Sequence, residues 1–271
     1  VTVREALAGA VRRLAAAGVP QPERDARWLV AYALGVDRDR LTLMLDEPFA
    51  SRDVLAGMLD RRAVRQPVAQ IVGWREFWGR RFRVTPDVLD PRPETETLVE
   101  AALRQSFANA LDLGVGSGCI LLTLMAERPG VAGTGIDVSE TALAVARRNA
   151  DDLGLAPTLR RSDWYTAIRG RWDLIVSNPP YIGAAEMPSL HPDLAWEPAV
   201  ALTPGPDPLA AYRRIAEGAA RHLAANGRLL VEVGADQARP VAAIFADAGL
   251  GDVAYHHDLD GRERVVEAQR P

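Results

Sequence analysis

Over the first part of the chain, to about Arg65, apolar residues recur every three or four positions. Val3, Leu7, Ala10, Val11 and Leu14 would share one face of a helix that Gly18 and Pro20 stop. The same periodicity predicts a second helix over Glu23 to Leu34, closed by Gly35, and a third around Leu41 to Leu45 opened by Asp37. A fourth follows Ser51, a good N-cap residue. From Pro67 to Pro93 the pattern changes to short aromatic and β-branched stretches, Ile71-Val72-Gly73-Trp74 and Phe82-Arg83-Val84, separated by Gly79; these predict a hairpin-like connector. Helical character resumes over Glu94 to Gln105.

Beyond this, short apolar runs alternate with amphipathic ones. Ala110 to Leu113, Gly133 to Ile136, Thr158 to Arg160 and Leu174 to Ser177 read as buried strands, with helices over Leu121 to Glu127 and Glu140 to Leu153. Parallel strands need crossover connections, so the alternation predicts a parallel, doubly wound sheet of Rossmann-like α/β class. A helix over Pro208 to Ala224, a strand over Arg228 to Val233, a helix over Pro240 to Ala248 and a closing pair of strands, Val253 to Tyr255 and Arg264 to Glu267, complete the pattern. The expected organisation is a helical domain over 1–66, a connector over 67–93 and an α/β domain over 94–271.

Composition narrows the functional classes. The longest apolar runs, such as Cys119 to Met125 and Leu229 to Val233, fall far short of the roughly 20 residues that cross a bilayer, so no membrane association is expected. The first ten residues carry Arg4 and Glu5 in an amphipathic pattern instead of the apolar core of a secretory signal. One cysteine, Cys119, allows neither an internal disulfide nor a thiolate zinc cluster; it reads as core packing, and no metal site is expected. A cytoplasmic location follows. All the Lys+Arg count of 32 is arginine, and the net charge of −4 argues against a grip on nucleic-acid phosphates. Most arginines of the groups Arg61, Arg62, Arg65 and Arg80, Arg81, Arg83 are expected on solvated surfaces.

In a doubly wound sheet, ligands bind outside the carboxyl ends of the strands. The residues there are distinctive. After the first strand come Gly114, Val115, Gly116, Ser117 and Gly118, whose glycines permit a tight turn and close approach of backbone to ligand. After the second comes Asp137, about 20 residues past Gly118, where a carboxylate can accept from two ribose hydroxyls. After the third, Asp163 offers an acceptor for an exocyclic adenine amine, and Trp164 a ring for its face. Each has an ordinary reading too: a tight turn, a cap of the following helix (for which Ser139 is the better candidate), a packing tryptophan. Dinucleotide sites want a third glycine three places after the second; here it comes after two, which suits a nucleoside cofactor without a pyrophosphate. Asp112, just before the turn, could help position a cationic amine.

After the fourth strand stand Asn178, Pro179, Pro180 and Tyr181. Prolines fix the backbone and donate nothing, leaving carbonyls free to accept. A planar NH2 group has two donors, which the Asn178 side-chain oxygen and the Pro179 carbonyl could hold together, with Tyr181 against the flat face. Such a grip aligns a nitrogen lone pair with a methyl sulfonium, and alignment can contribute up to about 7 to 11 kcal/mol without a strong base. The histidines, His191, His222, His256 and His257, then need no catalytic role and are expected on surfaces or loops.

With these residues in hand, the chain resembles the HemK-type, or PrmC, protein glutamine methyltransferases. The likeness runs through the helical domain, Pro67 to Gly73, Phe77-Trp78, Pro91 to Glu96, Leu111 to Gly118, Ser162 to Trp164, Ser177 to Ile182, Trp196 to Pro198 and Asp260 to Arg264. It implies a class I methyltransferase sheet that binds S-adenosyl-L-methionine through Gly114 to Gly118, Asp137, Trp164 and Asn178. It also implies a glutamine held by Asn178 to Tyr181, namely that of the Gly-Gly-Gln loop of class 1 peptide chain release factors, which the helical domain would help recognise. S-adenosyl-L-homocysteine would be the product and a monomer the working form. Val115 stands where the family usually has threonine, Asp90 where an apolar residue is common, and Gly205 to Leu209 replaces a more glycine-rich stretch. An adenine-N6 methyltransferase acting on DNA or RNA, whose target is the same planar NH2, is the alternative enzyme. A module that binds the cofactor without turnover is the alternative of another class.

Overall fold

A computed structural model describes residues 1–271, in two compact units: Val1–Trp74 with His191–Trp196, and Arg75–Leu190 with Glu197–Pro271. In the first unit, helices α1 (Val3–Ala16), α2 (Pro22–Leu34), α3 (Arg38–Leu41), α4 (Arg52–Ala63) and α5 (Val68–Val72) enclose an apolar core that includes Leu14, Leu29, Leu41 and Leu59. Thr2 caps α1 in a reciprocal box with Glu5. Two expectations change here. Ser51 precedes α4 but makes no capping hydrogen bond. Ile71 and Val72, read as extended, lie in α5, because that turn buries both against the helical core; packing overrides their β preference.

Arg62 also departs from the expected solvated surface. It is 4 % exposed and bridges Asp25 Oδ2 at 2.7 Å and Asp193 Oδ2 at 2.8 Å, which fastens His191–Trp196 into this unit. Gln70 Nε2 donates to the Trp196 carbonyl at 2.9 Å to the same effect.

The second unit holds a seven-stranded sheet in the order β5-β4-β3-β6-β7-β9-β8, comprising β3 (Asn109–Leu113), β4 (Ala132–Asp137), β5 (Thr158–Arg161), β6 (Trp172–Ser177), β7 (Leu223–Glu232), β8 (Gly251–His257) and β9 (Glu263–Gln269). Strands β5 to β7 run parallel, and β9 runs antiparallel between β7 and β8. A small hairpin, β1 (Trp74–Phe77) and β2 (Arg80–Arg83), precedes the sheet. Alternation along the strands sends residues to two faces. Ala110, Leu174 and Val176 pack under α6 (Glu96–Leu103), α7 (Cys119–Glu127) and α8 (Glu140–Leu153). Leu111, Ile175 and Val231 pack under α10 (Ala210–His222) and α11 (Ala238–Asp247), with the short α9 (Ala199–Leu202) preceding them.

His256, expected at the surface, is 9 % exposed on β8. Its strand register turns it inward, where Nε2 lies 2.7 Å from Glu267 Oε2 and Arg104 meets Nδ1 at 3.2 Å. No helix is long and apolar enough to cross a membrane.

Candidate active site

The chain runs outward from β3 to β4 to β5, then returns to lay β6 on the other side of β3. This places the topological switch point between β3 and β6, where a crevice opens outside the strand ends. The turns after these two strands are tied where they start, since Ser177 Oγ donates to the Leu113 carbonyl at 2.6 Å.

After β3, Gly114, Gly116 and Gly118 take φ values of 79°, 52° and 84°, a region in which side chains are strained. The N–H groups of Gly114 and Val115 both donate to the Ile136 carbonyl, at 2.9 and 2.8 Å, which pins the turn to the end of β4. Asp137, one residue on, closes the loop: Oδ2 accepts from Gly116 N at 3.0 Å and Oδ1 from Ser139 N at 2.9 Å. Each oxygen retains a further acceptor position, and burial pushes this carboxyl up from its ordinary value. The cap of α8 is made by Ser139, whose Oγ accepts from Ala142 N at 3.1 Å.

A cavity of about 770 Å³ opens over these strand ends. Its lining draws on all four predicted turns: Gly114 to Ser117, Asp137, Asp163 with Trp164, and Asn178 with both prolines. Its size suits a nucleoside cofactor with room for a substrate side chain. Three expected residues, Asp112, Gly118 and Tyr181, are not part of the lining. Gly118 instead takes the N-cap position before α7, and Tyr181 packs on the core under α10 and α11, with its hydroxyl pushed up to about 12 by burial. Asp163 Oδ2 lies 3.7 Å from Arg214 Nη2, so the carboxylate at the adenine end of the expected site already has a cationic neighbour. Trp164 is held by its carbonyl, which accepts from Ser162 Oγ at 2.6 Å.

Asp112 lies wholly buried on the face covered by α7, where its carboxylate meets the backbone of Leu121. Burial pushes it up to about 7. It is not among the residues that line the cavity, so the structure does not bring it to the amine end of the expected site. Cys119 is buried in the same core and also borders the cavity; burial pushes its thiol up to about 12, so it is not a nucleophile at neutral pH.

Several participants are invisible to motif reading. Asn178 Nδ2 donates to Thr95 Oγ1 at 3.3 Å, and Thr95 Oγ1 donates to Glu232 Oε2 at 2.6 Å. The Tyr181 carbonyl accepts from Gln237 Nε2 at 2.9 Å. At the cavity wall Arg92 Nη2 reaches the buried Glu197 at 2.6 Å. Asp90, a departure noted in the sequence, is buried with Arg75 3.7 Å away and Arg92 4.0 Å away. Only the Pro91–Glu96 and Trp196–Pro198 segments hinted that these positions mattered. None of the histidines lines the cavity.

Residues 5–73 match the PrmC N-terminal domain family, and residues 88–205 match the methyltransferase small domain family. A release factor glutamine methyltransferase from Cereibacter sphaeroides is 56% identical, over 98% of this chain and 98% of its own. Its counterpart from Rhodospirillum rubrum is 44% identical, over 95% of this chain and 82% of its own. The fold also matches a crystal structure of a methyltransferase from Pyrococcus furiosus, with a TM-score of 0.54 at 17% identity, covering 79% of this chain and 98% of that one. With a cavity of this construction and relatives this similar over nearly the whole of this chain, the chain belongs to the release factor glutamine methyltransferase family.

Proposed function

We propose that the protein transfers the methyl group of S-adenosyl-L-methionine to the side-chain amide nitrogen, N5, of the glutamine in the Gly-Gly-Gln loop of a class 1 peptide chain release factor. The observation that carries this reading is the position of Asn178-Pro179-Pro180 in the wall of the cavity that the glycine turn also lines, at the switch point of the sheet. The cofactor would be held by the backbone of Gly114 to Ser117, by the remaining acceptor positions of Asp137, and by Trp164 and Asp163. When bound, it supplies an electrophilic methyl group on a sulfonium.

The chain's own residues do the rest by position. Asn178 Oδ1 and the Pro179 carbonyl accept the two N–H groups of the glutamine amide, hold its nitrogen in line and favour a pyramidal geometry that frees the lone pair from resonance. The bound cofactor would supply the methyl group and be left as S-adenosyl-L-homocysteine, and the proton released from the amide nitrogen would pass to solvent. No general base is required, which accords with a cavity that no histidine lines. Tyr181, through its carbonyl bond to Gln237, closes the turn behind the prolines and holds its shape. A release factor substrate is consistent with action in the cytoplasm, and the working form read from the sequence is a monomer.

The test is transfer of labelled methyl groups to a purified class 1 release factor. Label on the wild-type factor and none on its Gln→Ala loop variant supports the reading. Label on adenine in DNA or RNA instead, or cofactor binding without transfer to either, would replace it.

A further inference from the structure

The amide clamp has an ambiguity built into it: a carboxamide can present either its oxygen or its NH2 to the substrate, and only the oxygen can accept from a glutamine amide. Rotation of Asn178 by half a turn about its last side-chain bond would set donor against donor. Something must select the working orientation.

The donors and acceptors behind Asn178 do so by elimination. Thr95 Oγ1 lies 2.6 Å from Glu232 Oε2, a short hydrogen bond to a carboxylate that is 2 % exposed. A hydroxyl has one proton. Once that proton is given to an ionised Glu232, Thr95 can only accept from its other neighbour, so the group of Asn178 that faces it, 3.3 Å away, must be the NH2. Oδ1 is then turned from Thr95. Here we propose that Thr95 and Glu232 are positioning residues that fix which atom of the Asn178 carboxamide meets the substrate, a role that rests on the clamp reading above.

The supports of this relay are rigid. Thr95 ends a short 3-10 turn, Pro93–Thr95, whose first residue is a proline and whose Thr95 N–H donates to the Arg92 carbonyl at 3.1 Å. The next residue, Glu96, accepts from the Trp78 N–H at 2.7 Å. Glu232 ends β7, and its carbonyl accepts from the buried Tyr212 hydroxyl at 3.2 Å. Thr95 hydrogen-bonds the Glu232 carboxylate, and the charged and titratable groups near enough to act on it are Arg264 on β9, Glu94 and Arg92 beside the turn, Tyr181, Tyr212 and Cys119. A protonated Glu232 would release the constraint. Its proton could go to Thr95, whose own proton could then turn to Asn178 Oδ1 and hold the wrong orientation.

The experiment compares kcat, KM for the release factor and cofactor affinity for Thr95→Val, Thr95→Ser, Glu232→Gln and Asn178→Ala. Thr95→Val removes the hydroxyl at nearly constant shape and is expected to lower kcat about 10- to 100-fold, the range typical of outer-shell orienting groups, with cofactor affinity within about twofold of wild type. Thr95→Ser restores the hydroxyl and is expected to recover most of the rate. Glu232→Gln is expected to lower kcat less and to abolish the fall in rate on the acid side. Wild-type kcat in Thr95→Val, or a Thr95→Ser enzyme as slow as Thr95→Val, overturns the proposal while the clamp stands, provided Asn178→Ala is inactive. A fully active Asn178→Ala removes the clamp itself. Should Thr95→Val lose cofactor binding, the pH profile of Glu232→Gln decides: an acid limb retained there overturns the relay.

Discussion

The turn after β3 and the turn after β6 meet at one switch point yet are held in different ways. The glycine turn is shaped by its own backbone: three left-handed glycines, two N–H groups on the Ile136 carbonyl, and Asp137 from the neighbouring strand. The proline turn is rigid along its own length but takes its orientation from distant side chains, Thr95 and Glu232 on one side and Gln237 on the other. A cofactor of constant shape needs only a fixed cradle. A clamp that must tell an acceptor from a donor needs groups behind it that supply that distinction.

The comparison can be broken at several points. Asn178→Ala removes half of the clamp and is expected to lower kcat by about 100- to 1,000-fold, the cost typical of deleting one preorganised polar contact to a reacting group; steady-state methyl transfer measures it. Asp137→Asn offers an NH2 where Gly116 N or Ser139 N now donates. The lost charge-assisted hydrogen bond predicts cofactor affinity weaker by about 10- to 100-fold, read by calorimetry, with less effect on kcat at saturation. Such a split between kcat and affinity is what distinguishes the two turns.

Glu232 gives a smaller effect with a definite sign. Burial raises its carboxyl to about 7. The ionised form, which accepts from Thr95, prevails above that value and is lost as the pH falls through it. The rate is therefore expected to drop by about tenfold between pH 8 and pH 6, as the pH dependence of kcat/KM would report. Gly118→Ala tests the backbone side. Its φ of 84° is left-handed, and a Cβ there would lie 2.9 Å from Leu122 Cδ1. A loss of about 1 to 3 kcal/mol, visible as a fall of several degrees in Tm, is expected.

How far the sequence reveals all this follows from the same contrast. The glycine turn, Asp137 and the Asn-Pro-Pro-Tyr stretch are legible because their constraints are local: a positive φ demands glycine, and proline announces its own conformation. The strands were legible through short apolar runs, and α8 through its Ser139 cap and 3.6-residue period. Thr95 and Glu232 are 137 positions apart, and no periodicity links them. The inward turn of His256 depends on strand register, and the helical form of Val68–Val72 depends on a core built from distant helices. Likewise, nothing local in His191–Trp196 announces that Arg62 will bind it into the helical unit.

The most direct test of the central claim is a crystal structure of the enzyme with S-adenosyl-L-homocysteine and a release factor whose Gly-Gly-Gln loop is intact. The account predicts the glutamine side-chain nitrogen within hydrogen-bond distance of both Asn178 Oδ1 and the Pro179 carbonyl, with Asn178 Nδ2 still on Thr95. A glutamine amide held by other groups, or an Asn178 turned to present its NH2 to the substrate, would contradict it.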